Sequence, residues 1–175
     1  MAVREIITPA NPALRLRARK VRSITPAVQT LIDDMIETMR AAPGVGLAAP
    51  QVASGQRVIV VEYAEPAEDP ETPARPPRLF ALVNPEIVRH SAETEVANEA
   101  CLSVPGYFGE VERAQSVSVR ALDRKGKPVR LKAEGWLARV FQHEIDHLDG
   151  ILYTDRATRM WRVEEPEGQQ VPAAD

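Results

Sequence analysis

Two histidines four residues apart constrain this chain more than any other feature. They are His143 and His147, in Phe141-Gln142-His143-Glu144-Ile145-Asp146-His147-Leu148-Asp149-Gly150. On an α-helix this spacing projects both imidazoles from one face, where they can grip one metal ion. Glu144 stands one position on, about 100° around the helix. It would lie beside the ion and move protons without being a ligand. Such a pattern also occurs by chance on exposed helices, but the flanks speak for burial. Trp136, Leu137, Val140, Phe141, Ile145 and Leu148 recur at helical spacing. Buried His and Glu side chains are costly unless paired or metal-bound.

A catalytic zinc or iron ion usually takes three protein ligands and leaves a position for water. A third His three residues after Gly150 would complete one known pattern, but Tyr153 stands there. A glutamate from a following helix would complete another. Glu164, Glu165 and Glu167 are downstream, in a stretch with Pro166, Gly168 and no apolar period, which makes a poor rigid ligand. The remaining option is upstream, the single cysteine Cys101 in Glu99-Ala100-Cys101-Leu102-Ser103.

With 175 residues the chain can bury one proper core, and a net charge of −3 gives no general pull toward nucleic acid or membrane. No apolar run approaches a membrane span, and the charged start Met1-Ala2-Val3-Arg4-Glu5 does not read as a secretory signal. One cysteine allows no internal disulfide, so a reducing cytoplasm is expected and thiolate ligation becomes available. Residues 1–163 are expected to form one catalytic domain, and 164–175 a polar, flexible tail.

Thr8-Pro9 to Pro12 reads as turns. The basic run Leu14 to Arg22 reads as a solvated edge with apolar residues facing inward. Thr25 offers an N-cap and Pro26 a first helical position. Val28, Leu31, Ile32, Met35, Ile36 and Met39 then make a helical core stripe, which stops at Pro43-Gly44. Taken alone, Gly44 to Gln51 reads as a turn between elements. Arg57 to Tyr63 and Phe80 to Val83 read as strands, the second ending at Asn84-Pro85, with 64–78 a proline-rich surface loop. Glu86 to His90 and Glu93 to Ala97 are short strand candidates, with His90 exposed. Ser116 to Leu122 and Pro128 to Lys132 form a hairpin, Gly135 opens the metal helix, and Leu152-Tyr153 reads as a last strand.

Three stretches resemble the peptide deformylase family in order and spacing. They are Gly44-Val45-Gly46-Leu47-Ala48-Ala49-Pro50-Gln51, Glu99-Ala100-Cys101-Leu102-Ser103 and Gln142-His143-Glu144-Ile145-Asp146-His147. The likeness covers nearly all of residues 1–160. It implies an α+β fold with mixed and antiparallel sheets packed around a central metal-binding helix. It implies hydrolysis of the N-formyl group from the formyl-methionine of new polypeptides, releasing formate.

The resemblance also assigns roles. Cys101, His143 and His147 would hold one divalent ion, Fe²⁺ in the cell, with Zn²⁺ or Ni²⁺ able to replace it. Glu144 would shuttle the proton. The Gln51 amide and the Leu102 backbone N–H would stabilise the oxyanion. Gly46 would expose backbone to substrate, and Glu99 with Arg113 would brace the Cys101 loop. Val45, Leu137, Val140 and His143 are candidate walls for the methionine side chain. The implied partners are nascent formyl-methionyl chains and a transient ribosome contact, with no specific nucleic acid and no membrane.

The chain departs from the family at Ala100, where glycine is usual, and in lacking a long basic C-terminal helix. Ala100 is expected at negative φ, so its methyl group should fit. Two other readings share the helix: a metallopeptidase with a carboxylate third ligand, and a silent homologue that binds nascent chains or ribosomes through Arg15 to Arg22.

Overall fold

The computed structural model describes residues 1–163. Helix α1 spans Pro26–Ala41. Thr25 caps it by accepting the Val28 N–H at 3.4 Å, and Pro26 occupies a position where a missing N–H costs nothing. The expected stripe is the buried face: Val28, Leu31, Ile32, Met35, Ile36 and Met39 are all covered. Each such side chain stabilises the fold by about 1.5–3 kcal/mol.

A five-stranded antiparallel sheet runs in the order β1 (Gly46–Ala48), β2 (Val58–Tyr63), β3 (Arg78–His90), β6 (Ser116–Leu122), β7 (Pro128–Glu134). Helix α1 packs on one face of it and helix α2, Gly135–Leu148, on the other. This double coverage explains why Val58-Ile59-Val60-Val61 is a continuous apolar run. Val58 and Val60 face α1, while Ile59 and Val61 face α2. A second, three-stranded sheet, β4 (Thr94–Cys101), β5 (Val104–Ala114) and β8 (Arg159–Arg162), covers another side of α2. The catalytic-motif helix therefore lies between two sheets. Phe80 and Phe141 meet edge to face at 5.3 Å across its contact with the large sheet.

Several expectations change in detail. Gly44 to Gln51 is no plain turn: it forms edge strand β1 and then a 3-10 turn, Ala49–Val52. Strand β3 does not stop at Asn84-Pro85 but continues to His90, with its register shifting there. Pro85 cannot donate to the ladder, and the Asn84 side chain bonds Val21 N and O at 2.8 Å each. Leu152-Tyr153 is not a strand, because Tyr153–Arg156 is one helical turn, α3, with the Leu152 N–H held by Asp155. The long strand β5 and the short β8 had no strand expectation. Pro105, Gly106 and Gly109 masked the first. The basic run does turn Leu14, Ala18 and Val21 inward. The tail expected at 164–175 lies outside the described residues.

Candidate metal centre

Three elements meet beside the middle of α2. The helix presents His143, Glu144 and His147. Strand β4 ends at Cys101, which pairs with Val104 across the two-residue turn Leu102-Ser103. Strand β1 and the 3-10 turn bring Gly46 and Gln51. The backbone of Ile7 anchors that turn, its N–H reaching the Gln51 carbonyl at 2.8 Å.

Cys101 Sγ and one ring nitrogen each of His143 and His147 lie within 4.8 Å of one another, all three residues buried. Sγ is 3.3 Å from His147 Nε2. Tetrahedral coordination with ordinary bond lengths needs sulfur and nitrogen roughly 3.5 Å apart, so the cluster is of the right size. His143 Nδ1 lies 2.9 Å from Glu99 Oε1. That contact holds the ring with Nε2 directed into the cluster, where Nε2 is buried with no hydrogen-bond partner among the described residues. One soft thiolate and two imidazoles suit a first-row divalent ion, and these residues fit one.

The Gln51 side chain is fully buried. Its Oε1 accepts the Ala48 N–H at 2.9 Å, which turns Nε2 toward Cys101 Sγ at 3.5 Å and Ser103 Oγ at 3.2 Å. Glu144 is also fully buried, and its carboxylate lies against Gly46. A Cβ on Gly46 would come within 2.6 Å of Glu144 Oε1, so only glycine lets β1 pass this close to the helix.

Beyond the cluster lies a chain of buried charges. Glu99 receives Arg113 Nε at 2.9 Å and Nη2 at 2.8 Å, with Arg139 Nη1 at 2.6 Å. Arg113 Nη1 reaches Asp146 at 2.6 Å, and Arg156 binds the same carboxylate from the surface. Burial pushes the Glu99 carboxyl up, but hydrogen bonds from Arg113 and His143 outweigh it and hold it far below the usual carboxylate range. Burial pulls His143 down, yet Cys101 and Glu99 beside its ring raise it well above the ordinary histidine value. His147 goes the other way: burial and the charge of His143 push it well below the ordinary histidine value. A metal ion takes cysteine as thiolate and histidine as neutral imidazole, so its binding here would release protons.

The expected residues Glu99, Cys101, Arg113, His143, Glu144 and His147, with Gln51 and Gly46, are brought together. A small recess beside Glu144 is lined by Glu99, Trp136, Arg139, Val140, His143 and Glu144. Val45 and Leu137 pack against the core between α2 and the large sheet and do not line it. Sequence reasoning missed Arg139, Asp146, Ser103 and Tyr153, whose ring stacks 6.0 Å from that of His143. The signal for Arg139 was available: a charged residue one turn before His143 on a helix read as buried.

Comparison with known proteins points one way. The family model described as polypeptide deformylase matches residues 3–163. The peptide deformylase of Desulforudis audaxviator is 48% identical over 165 residues, covering 94% of this chain and 100% of that protein. That of Symbiobacterium thermophilum is 49% identical over 175 residues, covering 100% of this chain and 76% of that protein. Among solved structures, peptide deformylase from Thermotoga maritima superposes with a TM-score of 0.80 at 40% identity, covering 91% of this chain and 100% of that one. The Ehrlichia chaffeensis peptide deformylase in complex with actinonin gives a TM-score of 0.81 at 40% identity, covering 91% of each chain.

Proposed function

Because the chain belongs to the peptide deformylase family, we propose that its catalytic ion is held by Cys101, His143 and His147. The enzyme is a metal-dependent hydrolase that removes the formyl group from the N-terminal methionine of nascent polypeptides. The observation that carries the ligand assignment is the buried triad of donor atoms within 4.8 Å of one another.

The ion is Fe²⁺ in the cell, with Zn²⁺ or Ni²⁺ able to take its place, since thiolate and imidazole suit all three. Bound there, it supplies Lewis acidity and makes hydroxide available near neutral pH. Glu144 takes a proton from the attacking water and returns it to the departing amine nitrogen, acting first as base and then as acid. Gln51 Nε2 and the Leu102 N–H donate to the formyl oxygen as it gains negative charge; one such donor typically contributes about 3 kcal/mol of transition-state stabilisation. The Ala48 N–H fixes the orientation of the Gln51 amide and keeps Nε2 turned toward the Cys101 side of the site. Gly46, on β1, exposes backbone to the substrate, and Val45 before it is a wall for the methionine side chain. Glu99 and Arg113 brace the ligand loop.

Residues 1–163 act as one catalytic domain. No helix among the described residues is long and apolar enough to cross a membrane. We place the activity in the cytoplasm, where formyl-methionyl chains emerge, with a transient ribosome contact.

The test is formate release from formyl-Met peptides by iron-loaded protein, with acetyl-Met peptides as control, beside metal content of Cys101→Ala. Release from formyl peptides alone, and loss of most metal in the variant, are expected. Full metal retention in Cys101→Ala would overturn the ligand assignment.

A further inference from the structure

We propose that Arg139 is a positioning residue for the metal ligand His143, acting through the Glu99 carboxylate; the inference rests on the ligand assignment above. A carboxylate offers about four hydrogen-bonding sites, and all four are filled here. Oε1 takes His143 Nδ1 at 2.9 Å and Arg113 Nη2 at 2.8 Å. Oε2 takes Arg113 Nε at 2.9 Å and Arg139 Nη1 at 2.6 Å.

The two arginines do different things. Arg113 lies on β5, on the same sheet as Glu99, and Asp146 draws its Nη1 away at 2.6 Å. It holds Glu99 within the sheet and reaches α2 through Asp146, three residues after His143, without tying the carboxylate itself to the helix. Arg139 comes from α2 itself, one turn before His143. With it, the carboxylate is tied to the helix at two points, at residues 139 and 143. Its other donors reach the carbonyls of Val111 at 2.9 Å and Glu95 at 2.7 Å, on β5 and β4. A planar guanidinium can meet three acceptors in fixed directions, which an ammonium cannot. The result is a rigid triangle of β4, β5 and α2 with Glu99 Oε1 aimed at His143 Nδ1.

The cost of this arrangement supports a specific role. Arg139 is 5% exposed. An apolar residue there would often serve stability as well or better, because a buried ion pair regains its desolvation cost only with good geometry. What an apolar residue cannot do is fix the carboxylate that orients a ligand. Partners of this kind, behind the ligands, typically contribute 10–100-fold in metal affinity or activity.

The experiment compares Arg139→Met and Arg139→Lys with wild type as full-length, zinc-loaded protein. The first readout is zinc transfer to a chelator, followed over time. The second is the proton resonance of His143 Nδ1–H, which a fixed carboxylate shields from solvent exchange. We expect zinc release to rise about 10–100-fold in Arg139→Met, with the His143 resonance broadened or lost. Arg139→Lys should fall between Arg139→Met and wild type.

Because Arg139 also lines the recess beside Glu144, a change in KM alone does not count for the proposal. Lowered Tm with wild-type zinc release and an intact resonance means a merely structural residue and overturns the inference. If Arg139→Met does not fold, the lysine variant decides by the same two readouts, and a wild-type release rate there overturns the inference. Cys101→Ala is the parallel control. If it keeps its zinc, the ligand assignment itself has failed, whatever Arg139 does.

Discussion

Helices α1 and α2 pack on opposite faces of one sheet, and they are built on opposite rules. Helix α1 offers the sheet an apolar stripe from Val28 to Met39, while its buried polar residues Asp34 and Thr38 tie down the N-terminal segment through Ala2 and Arg4. Helix α2 offers the same sheet Ala138, Phe141, Ile145 and Leu148. Apart from Val140, its remaining buried residues are polar: Arg139, Gln142, His143, Glu144 and His147. Hydrophobic contact is non-directional and tolerates small shifts. Hydrogen-bonded charges do not. The difference teaches that one interface supplies stability cheaply, while the other gives up stability to fix the positions of a few atoms. Gln142 shows the second rule, its amide meeting both Ala114 N and Ala114 O at 3.1 and 2.9 Å to dock the helix against β5.

The sharpest break of the comparison is Glu144→Gln, which keeps shape on the polar side and removes the proton carrier. Deformylation should fall about 10²–10⁴-fold or more while metal content stays near wild type. Single-turnover formate release and metal analysis on the same sample measure both. A wild-type rate would show that Glu144 is not the shuttle. On the apolar side, Met35→Ala should leave the rate of the folded protein unchanged.

The next test matches the two sides for stability. Glu99→Gln leaves buried arginines without their counter-charge and should cost about 3–5 kcal/mol. Met35→Ala leaves a cavity and should cost about 2–5 kcal/mol. Denaturant melts will therefore look alike, but only Glu99→Gln should also release metal faster. Equal metal release in both variants would erase the distinction between the two helices.

Acid probes the same contrast more gently. Glu99 has its folded pKa depressed below its ordinary value of 4.5. Its contribution to stability is therefore present above about pH 4.5 and is lost as pH falls toward the folded pKa. Asp34 on α1 is depressed too, chiefly by the Ala2 N–H, and acts in the same direction. Stability of the wild type should fall steadily below pH 4.5, and Glu99→Gln should flatten that fall by up to about 1.4 kcal/mol per pH unit. An unchanged slope would mean that Glu99 is not ionised in the folded protein.

These two sides also differed in how far the sequence disclosed them. The α1 interface was legible residue by residue, because 3.6-residue periodicity and an N-cap are local signals. The ligand cluster was legible because His-Glu-x-x-His and a lone cysteine are rare chemistry in a short chain. Of the network behind it, only the Glu99–Arg113 pair was legible, through the family resemblance. That Arg139 meets Glu99, or that Asp146 splits Arg113 with Arg156, depends on β4 and β5 lying against α2, and no spacing along the chain encodes that contact. Strand β3 was cut short for a similar reason. Asn84-Pro85 looks like a stop until Val21 supplies partners for the Asn84 side chain.

The smallest effect belongs to Ala100, which sits between the two rules: an apolar methyl group inside the polar site. Among the described residues only Ala53 and Asn84 have positive φ outside glycine, so Ala100 carries no left-handed strain. It is 5% exposed, and the β4–β5 register shifts at its position, between Glu99 and Cys101. The irregular turn is thus accommodated with an ordinary backbone, and the methyl group fills space beside the ligand. Ala100→Gly then acts twice in one direction. It loosens the unfolded chain by about 0.4–1 kcal/mol and exposes or empties the volume of one methyl group, about 0.8 kcal/mol. Together a loss of about 1–2 kcal/mol is expected, with the deformylation rate unchanged because Cys101 keeps its pairing with Val104. A melting curve and a rate for Ala100→Gly beside wild type measure this. Stabilisation would mean hidden strain at Ala100. A large gain in rate would mean that the methyl group displaces Cys101, and that the polar side of α2 is less tightly fixed than its hydrogen bonds imply.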